Sequence, residues 1–306
     1  MGIGLQIYSN GLKFEVESRG VKTAPAVLLT MGLGMQLTAW PEALIESLLQ
    51  FGYRVICYDN RDIGLSSHLD ALGVPNMILA AVKARLGLTV HSPYRLEDMA
   101  HDALGILDAL DIERAHVIGV SMGGMISQRI AIAAPSRILS LTSVMSTSGA
   151  PGLPSARTEI AKAMLVRPKS TRIDEIVDHS MKLFALIGSP GYPQDLIALR
   201  NRLTTSAKRS YHPVGVSRQL LAILADSKRC QALARIQSPT LVIHGTDDPL
   251  VPIACGRDTA TRIKDARFVE IKGMGHDWPP GVTDQLCAHI VPHLKRSDAP
   301  ILTGSS

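Results

Sequence analysis

The stretch Ala115-His116-Val117-Ile118-Gly119-Val120-Ser121-Met122-Gly123-Gly124 decides how the rest of the chain is read. Its first half is a short apolar run of strand character. Its second half opens onto Met125-Ile126-Ser127-Gln128-Arg129-Ile130-Ala131, which has helical character. A strand that turns straight into a helix leaves one residue at the tip, and here that residue is Ser121. Gly119 and Gly123 flank it as G-x-S-x-G, the pattern of a nucleophile elbow. The spacing has a steric cause: so sharp a turn strains the serine backbone and leaves no room for side chains two residues to either side. The hydroxyl is then presented at a helix N-terminus, where partial positive charge favours developing negative charge. The plain alternative is an ordinary glycine-rich strand-to-helix connection.

Working outward, strands and helices alternate, which predicts a mostly parallel, eight-stranded sheet with helices on both faces. Residues 5–8 and 13–17, joined at Asn10-Gly11, read as an opening hairpin. Strands are expected at 26–30, 53–58, 115–120, 138–145, 240–244 and 267–271. Helices are expected at 38–50, with Pro41 near the start, and at 95–110, 253–263 and 283–294. Two segments break the rhythm. Residues 66–93 form an excursion with one helical stretch at 76–86. Residues 146–238 carry four helical patterns, at 158–166, 173–186, 195–206 and 214–225, punctuated by prolines. The expected organisation is therefore a core of residues 1–145 and 239–306 with a helical cap of residues 146–238 inserted between two core strands.

A serine hydroxyl is a weak nucleophile until a base takes its proton, and the base is normally a histidine oriented by a carboxylate. On a strand-elbow-helix scaffold the order along the chain is serine, acid, histidine. His276 lies in Gly273-Met274-Gly275-His276-Asp277-Trp278-Pro279, a loop after the last strand. The acid lies in His244-Gly245-Thr246-Asp247-Asp248-Pro249, where two aspartates compete. Asp248, one residue deeper and just before Pro249, is the preferred partner; Asp247 is read as a loop-capping carboxylate. Acyl transfer also needs two N–H donors for the oxyanion. The Met122 N–H follows from the elbow, and the Leu33 N–H, in Thr30-Met31-Gly32-Leu33-Gly34-Met35, is the second candidate. Apolar cap residues, Met164, Met181, Leu183, Phe184 and Leu186, are expected to shape a hydrophobic pocket, with Trp40 and Trp278 at its border. The run Tyr58-Asp59-Asn60-Arg61-Asp62-Ile63-Gly64-Leu65-Ser66 reads as a turn in which Arg61 pairs locally and positions neighbouring loops.

These motifs together resemble the α/β-hydrolase superfamily over residues 26–294, outside the cap. Met-Gly-Leu-Gly-Met-Gln, Tyr-Asp-Asn-Arg-Asp-Ile-Gly-Leu-Ser and Ile-Lys-Gly-Met-Gly-His are similar to the esterase group that includes aclacinomycin methylesterase. The resemblance implies carboxylic-ester hydrolysis without a cofactor. Many superfamily members carry His-Gly in the oxyanion loop where this chain has Met31-Gly32. The donor there is backbone, so the exchange leaves it in place. A peracid-forming or C–C bond hydrolase would use the same triad, and a ligand-binding receptor on a hydrolase scaffold is a rival from another class.

Composition narrows the rest. A 46% hydrophobic chain builds a packed core. Its formal charge of +5 is scattered, without a dense Lys/Arg run or aromatic interleaving, so nucleic acid is not an expected partner and a small-molecule ester is. Cys57, Cys230, Cys255 and Cys287 lack C-x-x-C spacing, which points to reduced thiols and a cytoplasmic setting. Residues 1–6 lack the basic segment and apolar run of a signal peptide, and no apolar run reaches membrane-spanning length. No metal or nucleotide motif is expected: His116, His212, His244 and His293 show no H-E-x-x-H pattern. The oligomeric state, a homodimer included, is not set by the sequence.

Overall fold

The computed structural model describes residues 3–298 apart from 167, 169 and 227. Eight strands form one sheet: β1 (Ile3–Ser9), β2 (Leu12–Arg19), β3 (Ala26–Thr30), β4 (Arg54–Tyr58), β5 (Ala115–Val120), β6 (Ile138–Val144), β7 (Thr240–Gly245) and β8 (Arg267–Ile271), in the spatial order β1-β2-β4-β3-β5-β6-β7-β8. β1 and β2 are antiparallel, β2 meets β4 antiparallel, and the remaining neighbours are parallel. The helices of the described residues are α1 (Glu42–Gln50), α2 (Met77–Arg85), α3 (Leu96–Ala109), α4 (Met122–Ala133), α5 (Thr158–Leu165), α6 (Ile173–Ile187), α7 (Leu196–Arg209), α8 (Pro213–Ala225), α9 (Arg229–Ala232), α10 (Ile253–Arg262) and α11 (Pro280–Asp298).

The central parallel strands are buried along their length because both faces are covered, whereas the edge strand β8 leaves Arg267 and Glu270 exposed. Alternate residues serve opposite cores. Leu28, Ile56, Val117 and Leu141 pack against α3 and α4. Val27, Leu29, Ile118, Val120, Leu241 and Ile243 pack against α1 and α11. Each such fully buried side chain is worth about 1.5–3 kcal/mol over leaving it exposed.

Register gathers the functional loops at one edge. Thr30, at the end of β3, pairs with Gly119 of β5; Gly245, at the end of β7, pairs with Ile271, at the end of β8. The loops after β3, β5, β7 and β8 thus leave the carboxyl edge of the sheet side by side, where open α/β sheets place their ligands. Between β6 and β7 lie α5 to α9, with no strand among the described residues. α6 and α7 share a small core of Val177, Leu199 and Leu203, and Leu221 of α8 packs on Ala80 of α2.

Three helices differ by three residues or more from expectation, α7 among them, which runs to Arg209 rather than residue 206. The helix expected over 38–50 is a 3₁₀ turn (Leu37–Ala39) followed by α1, because Trp40 precedes Pro41 and is held extended at φ −64°, ψ 130°. The closing helix is longer than 283–294: it opens with Pro280, continues through Pro292, and runs to Asp298, whose carboxylate accepts from Tyr53 Oη at 2.7 Å. No described helix is long and apolar enough to cross a membrane.

Candidate active site

The elbow is as tight as its spacing implies. Ser121 sits at φ 55°, ψ −120°, a left-handed conformation that costs of order 1–3 kcal/mol. A Cβ at position 119 would stand 2.2 Å from the Gly123 carbonyl oxygen, and one at position 123 would stand 1.9 Å from the Thr30 carbonyl oxygen. Only glycine fits at either place. The surroundings hold the strained residue firmly: Ser121 N donates to Val144 O at 2.9 Å, and Ser121 O accepts from Ser146 Oγ at 2.7 Å.

The loop after β8 brings His276 to this serine. Its Nε2 lies 3.0 Å from Ser121 Oγ, and its Nδ1 lies 2.7 Å from Asp248 Oδ2. A carboxylate only accepts, so Nδ1 carries the proton and Nε2 is left to accept from the serine hydroxyl. The backbone fixes the ring's position, with His276 N donating to Ile187 O at 2.7 Å. Asp248 is buried, and its other oxygen accepts from Leu250 N at 2.9 Å and Val251 N at 2.8 Å. Burial works to raise its carboxyl, but its electrostatic attraction to and hydrogen bonds from His276 and His244 outweigh it and hold Asp248 well below the usual carboxylate range. Asp247 is exposed instead and accepts from Gly273 N at 3.2 Å, tying one loop to the next.

His244 is a neighbour that the sequence reading passed over as a lone histidine. It is fully buried, its Nε2 lies 2.7 Å from Val251 O, and the same nitrogen stands 3.4 Å from Asp248 Oδ2. Its spacing of four from Asp248 was the signal available. Asp277, next to His276, is buried too; burial raises its carboxyl, and Ser189 Oγ donates to it.

The loop after β3 passes directly over the elbow: a Cβ on Gly32 would stand 3.9 Å from Ser121 Oγ. Asn60 Nδ2 holds this loop through Met31 O at 3.0 Å, and Asp59 Oδ1 holds it through Leu37 N at 2.7 Å. The 58–66 run therefore braces neighbouring loops, but Arg61 does not pair locally. Its Nε and Nη2 bind the two oxygens of Asp102, on α3, at 2.6 and 2.7 Å. Asp59 receives Arg209 of α7 at 2.6 Å, and Asp62 receives Arg218 of α8 through 2.7 and 2.8 Å bonds. A carboxylate buried in a turn needs a compensating cation, and here the fold supplies it from distant helices.

A cavity of about 550 Å³ opens between the 33–36 loop and the helices that follow β6, lined by Leu33, Met35, Met164, Phe184, Leu203 and Val216 among others. Leu183 lines it as well, whereas Met181 packs in the α6–α7 core and Leu186 is exposed. Trp40 and Trp278 are not part of this lining. They pack edge to face on each other, centroids 5.5 Å apart, against the core beside α1 and α11. The packing buries Trp40 and half-buries Trp278, and the Trp40 Nε1 has no partner among the described residues.

One cluster of possible metal ligands, invisible in sequence spacing, is brought together by folding: one ligand atom each from His68, Asp70 and His212 lies within 4.8 Å of the others. The two imidazoles stack in parallel at 3.9 Å, and His212 already contacts Asp70 at 2.8 Å. Parallel rings direct their nitrogens side by side rather than toward one point, a poor fit to the tetrahedral or octahedral sites metals prefer.

Comparison with known proteins agrees with this architecture. A family model described as the alpha/beta hydrolase fold matches residues 25–278. The chain is 30% identical over 300 residues to the rhodomycin D methylesterase DnrP of Streptomyces peucetius, covering 91% of this chain and 94% of that protein. It is 31% identical over 290 residues to the rhodomycin D methylesterase DauP of a Streptomyces species, covering 88% and 90% respectively. Among solved structures, a meta-cleavage product hydrolase from Pseudomonas fluorescens superposes with a TM-score of 0.73 at 20% identity, covering 97% of this chain and 99% of that one. The chain belongs to the α/β-hydrolase family.

Proposed function

We propose that this protein is a serine carboxylesterase that hydrolyses the ester of a hydrophobic small molecule through an acyl-enzyme. The observation that carries the reading is His276, which spans Ser121 Oγ at 3.0 Å and Asp248 Oδ2 at 2.7 Å. His276 Nε2 takes the Ser121 proton as Oγ attacks the ester carbonyl. The oxyanion forms against the Leu33 and Met122 N–H groups, the second of these at the start of α4. The imidazolium, steadied by the Asp248 carboxylate, returns its proton to the leaving alcohol. Water then attacks the acyl carbonyl as the same nitrogen takes its proton, and the imidazolium returns that proton to Ser121 Oγ as the acyl–Oγ bond breaks and the acid leaves.

In this proposal residues 146–238 form a cap, and the apolar cavity holds one half of the ester. Met164 and Phe184 on one side and Leu33 on the other favour a bulky hydrophobic group. The names of the two Streptomyces relatives, which specify a methylesterase, support a carboxylic ester as the bond cleaved. All four cysteines are free, which fits a reducing, cytoplasmic setting.

The test is Ser121→Ala against a series of p-nitrophenyl esters. Loss of the nucleophile lowers kcat by roughly four to six orders of magnitude. Unchanged turnover overturns the proposal. Diketone and hydrogen peroxide arms in the same assay read C–C cleavage and peracid formation, which draw on the same groups.

A further inference from the structure

Gln219 lies on α8, fully buried, 185 residues along the chain from the loop it touches. Its Oε1 accepts from Gly34 N at 3.0 Å, and its Nε2 donates to Arg61 O at 2.9 Å. These two partners fix the orientation of the amide, since a carbonyl must meet an N–H and an NH₂ must meet an oxygen.

Gly34 belongs to a β-turn. Met35 N donates to Gly32 O at 3.2 Å, which makes Leu33 and Gly34 the central residues, and Gly34 has a φ of +69°. That is the pattern of a type II turn with glycine at its third position. Such a turn can flip the peptide unit between its two central residues. Flipped, the Leu33 carbonyl would replace the Gly34 N–H opposite Gln219 Oε1, setting two acceptors against each other in a buried place. α8 also presses on the turn: a Cβ on Gly34 would stand 3.0 Å from Val216. Gln36, at the end of the same loop, donates to Ser206 O at 2.9 Å and Ser210 O at 2.8 Å.

We propose that Gln219 is a positioning residue: by holding the 33–34 peptide it anchors the 32–35 turn against α8, and with it the Leu33 N–H of the adjoining 32–33 peptide, beside Ser121. It rests on the esterase reading and on Leu33 as a donor. The helical segment then sets part of the oxyanion geometry as well as covering the cavity. Removing one oxyanion donor outright lowers kcat by about 10²–10³. Loosening one without deleting it is expected to lower kcat by about 10–100-fold.

The experiment compares wild type with Gln219→Met on one p-nitrophenyl ester, at a temperature where a melting curve shows both to be folded. It also measures Ki for a trifluoromethyl ketone, which forms a tetrahedral oxyanion on the serine. The expected result is a 10–100-fold lower kcat, a KM within threefold of wild type, and a Ki weakened by the same factor as kcat. A purely structural role would lower the melting temperature without moving Ki and kcat together. Wild-type kcat, or a loss confined to KM, overturns the proposal. If Gln219→Met does not fold, Gln219→Asn, whose amide stops one methylene short of Gly34, gives the same reading. Ser121→Ala runs alongside: if it turns over the ester at the wild-type rate, the esterase reading fails whatever Gln219 does.

Discussion

Replacing Arg218 with methionine removes the cation from a carboxylate that has no access to water. Arg218 and Asp62 are both fully buried, joined by bonds of 2.7 and 2.8 Å, and Arg218 also donates to Gly73 O at 2.8 Å. The methionine fills most of the volume, so the loss is electrostatic: Asp62 loses its cation and keeps Leu69 N at 2.7 Å and His212 Nδ1 at 3.9 Å. Breaking one partner of a buried pair costs about 3–5 kcal/mol. For 306 residues the unfolding entropy is about 0.64 kcal/mol/K, at roughly 2.1 cal/mol/K per residue. The expected fall in Tm is therefore about 5–8 °C by calorimetry. Asp62→Asn in the same background removes the orphaned charge and keeps an acceptor for Leu69 N, so the double variant recovers at least about half of that loss. A fall below about 2 °C, or a double variant whose loss is the sum of the two singles, refutes the reasoning that the pair holds α8 to the 59–66 turn.

Asp248→Asn leaves His276 Nδ1 without a carboxylate and lowers kcat by roughly three to four orders of magnitude, whereas Asp247→Asn stays within about threefold; steady-state kinetics on one ester separates them. Gly123→Ala cannot place its methyl without shifting the Thr30 carbonyl, 1.9 Å from the Cβ position, so soluble yield and Tm both collapse, as a thermal melt would read. Burial holds the His293 imidazole down to about 4, below its ordinary 6.5. The unfolded chain takes up a proton through that window that the folded chain does not, so stability falls as pH drops from about 6.5 to 4, by up to about 3 kcal/mol. His293→Gln flattens this part of the profile, and urea midpoints of both proteins at pH 7 and 4.5 measure the difference.

The strand positions and the elbow were legible because a sheet covered on both faces demands mostly apolar strands, as in 26–30 and 115–120, and because a turn as tight as Ser121 admits only glycine at positions 119 and 123. The loops bearing Asp248 and His276 could be found by their place after β7 and β8. What could not be read depends on which distant side chains the fold brings together. Arg61 looked like a turn residue with a local partner, yet its carboxylate is on α3, and the cations for Asp59 and Asp62 come from α7 and α8. Trp40 looked like a pocket wall because large rings line many clefts, but Trp278 was there to bury it. Gln219 carries no motif and is recognised only by the group opposite it, while His244 offered only its spacing of four from Asp248.

The most direct test of the central claim is a mass measurement. Rapid acid quench during turnover of a slowly deacylating ester, followed by peptide mapping, is expected to show one acyl group on the peptide bearing Ser121 and none after His276→Ala. Turnover that proceeds at the full rate with no acyl group on that peptide would contradict it.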